Sequence, residues 1–113
     1  MARASTTADV FNAIAEPRRR EIIDALQGGR SLSVGELVER LGLAQSAVSK
    51  HLGVLRRVGV VTVTKDGQHR YYRLKAEELK VIHDWVQRFE KHWDHQLTRV
   101  KDRAEKSSRK STD

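Results

Sequence analysis

Hydrogen-bonding and cationic side chains are concentrated between Gln45 and Val58. Val48, Leu52 and Leu55 recur at spacings of four and three, which predicts a helix that turns these apolar side chains to the core. On such a helix, glutamine can pair with adenine and lysine with guanine, each good pair giving roughly 1–3 kcal/mol of discrimination between bases. We expect Gln45, Ser46, Ser49 and Lys50 to contact base edges, and Arg56 and Arg57 to hold phosphates.

Gly53 falls midway along the predicted exposed face, where the missing side chain leaves room for a DNA backbone. Small polar residues at the start of the helix, a glycine midway and basic residues later favour nucleic-acid binding. The alternative is an ordinary solvated helix face. His51 lies at the edge of the buried side, so we expect it to pack or to contact phosphate rather than to read bases.

Two β-rich runs follow, Val61–Lys65 and Gln68–Leu74, separated by the turn dipeptide Asp66-Gly67. This pattern predicts a β-hairpin with Tyr72 facing the body, together with Leu74. The tip projects cationic side chains and would place Arg70 near a minor groove or a phosphate, although a purely solvent-exposed hairpin is the alternative. The tip residues predicted to contact DNA are Lys65, His69 and Arg70.

The net charge favours one kind of partner, and the residue composition excludes several classes of protein. The formal net charge is +7 with a pI near 10.1, which favours polyanionic partners. From Ala44 to Lys75, seven basic residues stand against the single acidic Asp66, a local net charge of +6. No cysteine, apolar spanning segment or catalytic motif is present, so we predict a cytoplasmic protein that is not an enzyme, with no cofactor, no catalytic residue and no membrane contact.

Proline, glycine and helix-capping residues indicate where the predicted helices begin and end. Pro17 separates a first helix from a second, and Ser33 with Glu36 forms a capping box that opens a third. The four helices are predicted to end near Glu16, at Gly28-Gly29, at Gly42 and at Gly59.

A long last helix is predicted from Glu77 to near Ala104, with one apolar stripe. We expect Leu79 and Ile82 to pack on the chain's own core, but the stripe is too long to be buried by so small a body. A second copy of the chain would cover the rest; the alternative for the aromatic residues is an apolar ligand pocket. The predicted dimer interface comprises Phe11, Ile82, Val86, Phe89, Trp93, Leu97 and Val100.

Three stretches resemble the ArsR/SmtB family of bacterial winged-helix repressors: Ala13–Ile23 (AIAEPRRREII), Leu41–Leu55 (LGLAQSAVSKHLGVL) and Tyr71–Leu74 (YYRL). The resemblance spans roughly residues 9–100. It implies a homodimer held by the first and last helices, which meets a palindromic operator in double-stranded DNA and represses transcription. Ala44 departs from the serine often found there in the family, which removes a capping hydroxyl worth on the order of 1 kcal/mol.

The same family often releases DNA when a metal binds. Its cysteine site near positions 36–41 is absent here, and Leu79 and Val81 occupy the aspartate and histidine positions of its last-helix site. We therefore predict no metal site. The alternative function is a metal-responsive repressor with a site on the last helix, and a small-molecule or metal effector stays open. The residues of that alternative site are His83, Asp84, His92 and His95.

These elements predict one mainly α domain with a small β-hairpin, a winged helix-turn-helix of about five helices and a two-stranded wing. The domain is expected to cover residues 9–104. Residues 1–8 are expected to be a flexible N-terminus, and residues 105–113 a disordered basic tail without apolar residues.

Overall fold

The computed structural model describes residues 6–93. It confirms a mainly helical winged helix-turn-helix, with five α-helices, one 3-10 turn and a small antiparallel sheet in this part of the chain. Residues 94–113, including the expected tail, lie outside the described residues, and α1 begins within the segment 1–8. The elements are α1 (Thr6–Ile14), α2 (Pro17–Ala25), β1 (Ser31–Leu32), α3 (Val34–Leu41), α4 (Gln45–Arg57), β2 (Val61–Asp66), β3 (His69–Leu74), the 3-10 turn (Ala76–Leu79) and α5 (Lys80–Gln87).

The caps of α3 form as the sequence predicts. The backbone N–H of Glu36 donates to the Ser33 hydroxyl at 3.2 Å, and the backbone N–H of Ser33 donates to the Glu36 carboxylate at 3.1 Å. This reciprocal pair satisfies two amides that the first helical turn leaves without partners. Gly42 ends α3 in the left-handed conformation, with φ +65°, which glycine adopts without a steric cost. The turn between α3 and α4 is thereby fixed.

Two arginines of α2 complete the end of α1. The Arg19 guanidinium donates to the Ala13 carbonyl at 3.2 Å, and the Arg20 guanidinium donates to the Ile14 carbonyl at 2.6 Å. The last carbonyls of a helix have no intrahelical partner and carry the negative end of its dipole, so cations stabilise them. The Pro-Arg-Arg-Arg run therefore serves partly to join α1 to α2.

The hydrophobic core lies where α1 to α4 meet one face of the sheet. Tyr72 is buried and Leu74 is half-buried against the core, as the alternation in β3 predicts. Leu79 and Ile82 also pack on this core, as expected. The buried residues are Val10, Ala13, Ile22, Ile23, Leu26, Leu32, Leu37, Val48, Leu52, Leu55, Val60, Val61 and Tyr72.

The sheet has three strands in the order β1-β3-β2 rather than the two strands predicted for the wing. The added strand, Ser31–Leu32, pairs antiparallel with Arg73 and Tyr72 of β3. A strand of two residues is too short to show an alternation pattern, so the sequence provides no period from which to recognise it. The pairing attaches the wing to the segment that precedes α3.

The hairpin turn is displaced by one residue from the predicted Asp66-Gly67. Asp66 pairs with His69, so the two turn residues are Gly67 and Gln68. Gly67 has φ +64°, and no non-glycine residue in the described chain has positive φ, which places glycine at the first central position of the turn. That is the arrangement of a type II′ turn, whereas the prediction assumed glycine in second place.

The last helix is not one continuous helix over its described part. The 3-10 turn Ala76–Leu79 precedes α5, and a turn at Arg88 and Phe89 interrupts the helix before it resumes at Glu90. At this interruption, the amides of residues 88 and 89 donate to carbonyls three residues earlier, which tightens the backbone. Residues 76–93 contain neither Pro nor Gly, so no breaker in the sequence predicted this interruption.

The described chain divides after Ile82 into two units, and residues 83–93 belong to the second one. Across residues 6–93, no helix is both long enough and apolar enough to span a bilayer.

Candidate nucleic-acid interface

Helix α4 presents the predicted base-contacting residues on an open face. Val48, Leu52 and Leu55 are fully buried, as their spacing predicts, and this fixes the rotation of the helix on the core. His51 is half-buried at the edge of this stripe. The predicted contact residues Gln45, Ser46, Ser49, Lys50, Arg56 and Arg57 are all exposed.

The N-terminus of α4 lacks a side-chain cap. Ala44 occupies the N-cap position with φ −64° and ψ 146°, and no side chain there accepts a hydrogen bond from the first turn. This agrees with the absence of the serine hydroxyl noted in the sequence. The first turn of α4, which carries Gln45 and Ser46, therefore begins without the capping bond that Ser33 supplies to α3.

Gly53 is helical, exposed and open on its outer side. An ideal Cβ built on it meets no heavy atom within 4 Å. A glycine within a helix costs about 0.8–1.0 kcal/mol relative to alanine, and neither backbone conformation nor packing within residues 6–93 requires one here.

The wing tip is exposed from Lys65 to Arg70. In the β2–β3 register, Lys65 lies opposite Arg70, and Asp66 lies opposite His69. The imidazole ring of His69 also lies beside the Tyr71 ring, with centroids 6.2 Å apart. All three predicted wing contacts thus fall within the last two residue pairs of the hairpin.

The wing and α4 belong to the same compact unit. Strand β2 packs against α4, and the backbone N–H of Val60 donates to the Leu55 carbonyl at 3.0 Å, which joins the end of α4 to the strand. Among residues 6–93, Lys75 alone of the seven cations between Ala44 and Lys75 forms an ion pair, with Glu78 at 3.6 Å. The other six remain available for an external anion: Lys50, Arg56, Arg57, Lys65, Arg70 and Arg73.

Arg73 is a cation that the sequence reasoning did not include among the DNA-contacting residues. It is exposed on the outer face of β3, opposite Thr62 in β2 and opposite Ser31 in β1. The alternation that buries Tyr72 was the available signal, because it turns the next residue outward.

The predicted interface residues of the last helix retain much exposed apolar surface. Trp85, Phe89 and Trp93 are 48%, 40% and 45% exposed, and the Trp85 and Phe89 rings meet edge to face at 5.2 Å. Val86 and, in the first unit, Phe11 and Ile82 are half-buried. Leu97 and Val100 lie outside the described residues.

The alternative metal site has no assembled counterpart in the described part of the chain. His83, Asp84 and His92 are exposed, and His95 lies outside the described residues. Over residues 6–93, no three His, Cys, Asp or Glu side chains are grouped closely enough to hold a metal ion.

Comparison with known proteins places this architecture in a family. Residues 16–63 match the bacterial regulatory protein family arsR. The chain is 33% identical to the transcriptional repressor SdpR of Bacillus subtilis, over 79% of this chain and 98% of that protein. It is 42% identical to the transcriptional activator HlyU of Vibrio cholerae, over 70% of this chain and 72% of that protein.

The solved structures agree with the sequence comparisons. An ArsR-like transcriptional regulator from Rhodococcus sp. RHA1 superposes with a TM-score of 0.68 at 33% identity, covering 88% of this chain and 91% of that one. Reduced HlyU from Vibrio cholerae N16961 superposes with a TM-score of 0.61 at 39% identity, over 74% and 87% of the two chains. The chain therefore belongs to the arsR family of bacterial regulatory proteins, and it is a winged helix-turn-helix transcriptional regulator rather than an enzyme.

Proposed function

We propose that the protein is a sequence-specific DNA-binding repressor, which acts in the cytoplasm as a homodimer on a palindromic operator. The observation that carries this proposal is the exposed face of α4, whose first two turns present four hydrogen-bonding side chains without an intramolecular ion pair among residues 6–93. Recognition helices read base edges in the major groove with their N-terminal residues. The proposed base contacts are Gln45, Ser46, Ser49 and Lys50.

Phosphate contacts would fix the position of α4 on the duplex. Arg56 and Arg57 stand in the last turn of α4, about two to three turns from the proposed base contacts, and are exposed. Lys65, His69 and Arg70 occupy the wing tip. Contacts of this kind supply affinity and orientation but carry no base sequence directly.

Pairing of two copies would bring two α4 helices to the DNA. Three large aromatic side chains, each at least 40% exposed within nine residues of the last helix, form apolar surface typical of an interface. We propose that the first and last helices form the dimer contact, with Phe11, Ile82, Val86, Phe89 and Trp93, and with Leu97 and Val100 beyond the described residues. An isologous dimer of this fold would meet two half-sites about 34–36 Å apart.

Repression would follow from occupation of a promoter. The relative SdpR is named a transcriptional repressor and HlyU a transcriptional activator, and SdpR matches over the larger share of the chain. A reporter driven by the selected operator should fall when the protein is expressed. A rise in the reporter would assign activation instead and leave operator binding intact.

Selection of bound fragments from a random DNA pool tests the proposal. At about 150 mM salt, nonspecific phosphate attraction is reduced, so base contacts dominate the enrichment. We expect an inverted repeat whose half-sites lie about one helical turn apart. A single unrepeated motif would contradict the dimer, and the absence of any motif would contradict base reading by α4.

A further inference from the structure

The wing carries two positive charges directly opposite each other. The β2–β3 register pairs Lys65 with Arg70, one residue pair before the end of the hairpin. Like charges in such a position destabilise a sheet, because their Cβ atoms lie about 4.5–5.5 Å apart. The register therefore places two cationic side chains at directly opposed positions, where we expect a cost in stability.

No anion within the described chain relieves this repulsion. Both side chains are exposed, and neither forms an ion pair or a side-chain hydrogen bond with any of residues 6–93. Asp66 follows Lys65 directly, but successive residues of a strand point to opposite faces. Asp66 consequently shares the other face with His69, its partner in the register.

The same alternation shows which face of the hairpin carries Lys65 and Arg70. Val61 with Leu74 and Val63 with Tyr72 form the two preceding pairs on the core-facing side of the hairpin, and these residues are buried or half-buried. Lys65 and Arg70 are the next pair on this side, beyond the core. Their backbones are held by the strand pairing, so the two side chains project from neighbouring points of the hairpin before any ligand arrives.

We propose that Lys65 and Arg70 form a clamp on a single DNA phosphate, so that the wing positions the duplex and does not read bases. The proposal rests on the proposed function and deepens it. Two cationic side chains whose Cβ atoms lie about 5 Å apart can both reach one phosphate group, the arginine by two hydrogen bonds and the lysine as a point charge. A bound phosphate would attract both cations and so offset the repulsion between them.

Counterion release distinguishes a shared phosphate from two separate ones. The slope of log K against log salt changes by about 0.9 for each phosphate neutralised on B-DNA. We would measure this slope on the selected operator for the wild type, K65Q, R70Q and the double variant. The operator-bound homodimer carries two wings, so each substitution acts twice. One shared phosphate per wing predicts a small change in each single variant, because one cation remains, and a loss of about 1.8 in the double variant.

Separate phosphates predict a loss of about 1.8 in each single variant and about 3.6 in the double variant, which would overturn the clamp. R73Q is the matched control, since Arg73 is an exposed cation on the outer face of the same strand. It should leave the coupling between Lys65 and Arg70 unchanged. The same non-additivity between R73Q and R70Q would also overturn the assignment to this pair.

Thermal unfolding without DNA tests the repulsion independently. K65Q and R70Q should each raise the Tm by roughly 1–4 °C at low ionic strength, less in high salt, and the double variant should add little further. A lower Tm in both single variants would refute the repulsion. If the wild type selects no DNA motif, the proposed function fails; if it binds its operator and the slopes add, the clamp alone fails.

Discussion

Replacing Gly53 by alanine should stabilise the free protein and weaken its complex with DNA. Because an added Cβ meets no atom within 4 Å and the position is exposed, no clash or packing gain alters the intrinsic helix propensity. The expected gain is thus the full difference between glycine and alanine, about 0.8–1.0 kcal/mol. For a domain of this size that corresponds to a rise in Tm of about 4 °C.

The matched control is Gly42→Ala, the same chemical change at φ +65°. Here too the added Cβ meets no atom, but the left-handed backbone disfavours any side chain. We expect a loss of about 1 kcal/mol, opposite in sign to Gly53→Ala. Differential scanning calorimetry at one protein concentration measures both.

The cost to DNA binding depends on the close approach that Gly53 permits. If a phosphate of the operator lies against this point of α4, the methyl group should reduce affinity by about tenfold, which equals about 1.4 kcal/mol. Fluorescence anisotropy with labelled operator measures this. A stabilised Gly53→Ala variant with unchanged affinity would refute the close approach, and a destabilised one would show that the added methyl group clashes with a neighbouring atom.

Substitutions at the N-cap of α4, on its outer face and in the last helix have distinct expected effects. Ala44→Ser should stabilise the protein by about 1 kcal/mol by supplying the missing N-cap of α4, and an unchanged Tm would show that water already satisfies those amides. Lys50→Ala should relax base preference in a repeated selection. Arg57→Ala should weaken binding to all sequences alike and, because the dimer loses one contact from each copy, reduce the salt slope by about 2. In analytical ultracentrifugation, Trp93→Glu should shift the protein from dimer to monomer, because Trp93 is an exposed apolar side chain. Arg88→Glu at a neighbouring exposed position is the control, and loss of the dimer in both variants would indicate an effect of charge rather than of apolar contact.

Local signals explain why the recognition helix and its neighbours could be predicted. The Ser33–Glu36 capping box, the left-handed Gly42 and the buried spacing from Val48 to Leu55 each act within a few residues, so the sequence displays them directly. The exposure of the predicted contact residues then follows from geometry, because the buried stripe fixes the opposite face.

The features that the sequence did not predict depend either on contacts between residues far apart in the chain or on the geometry of a turn. Ser31 and Leu32 become a strand only because β3 is available to pair with them. Arg19 and Arg20 appear in the sequence as positive charge, yet in the fold they bind carbonyls at the end of α1. The hairpin turn lies one residue later than predicted. Glycine is suited to the first central position of one turn type and to the second central position of another, so its presence does not distinguish the two.

The short strand β1 has a consequence for the order in which the fold can assemble. The pair Leu32–Tyr72 joins points roughly forty residues apart, and α3, α4 and β2 all lie within the loop that it closes. Closing a flexible loop of that length costs about 3 kcal/mol of chain entropy. The helix pair can form from neighbouring residues at much lower entropic cost, so the attachment of the wing to β1 is expected to form late and to be an early loss in partial unfolding.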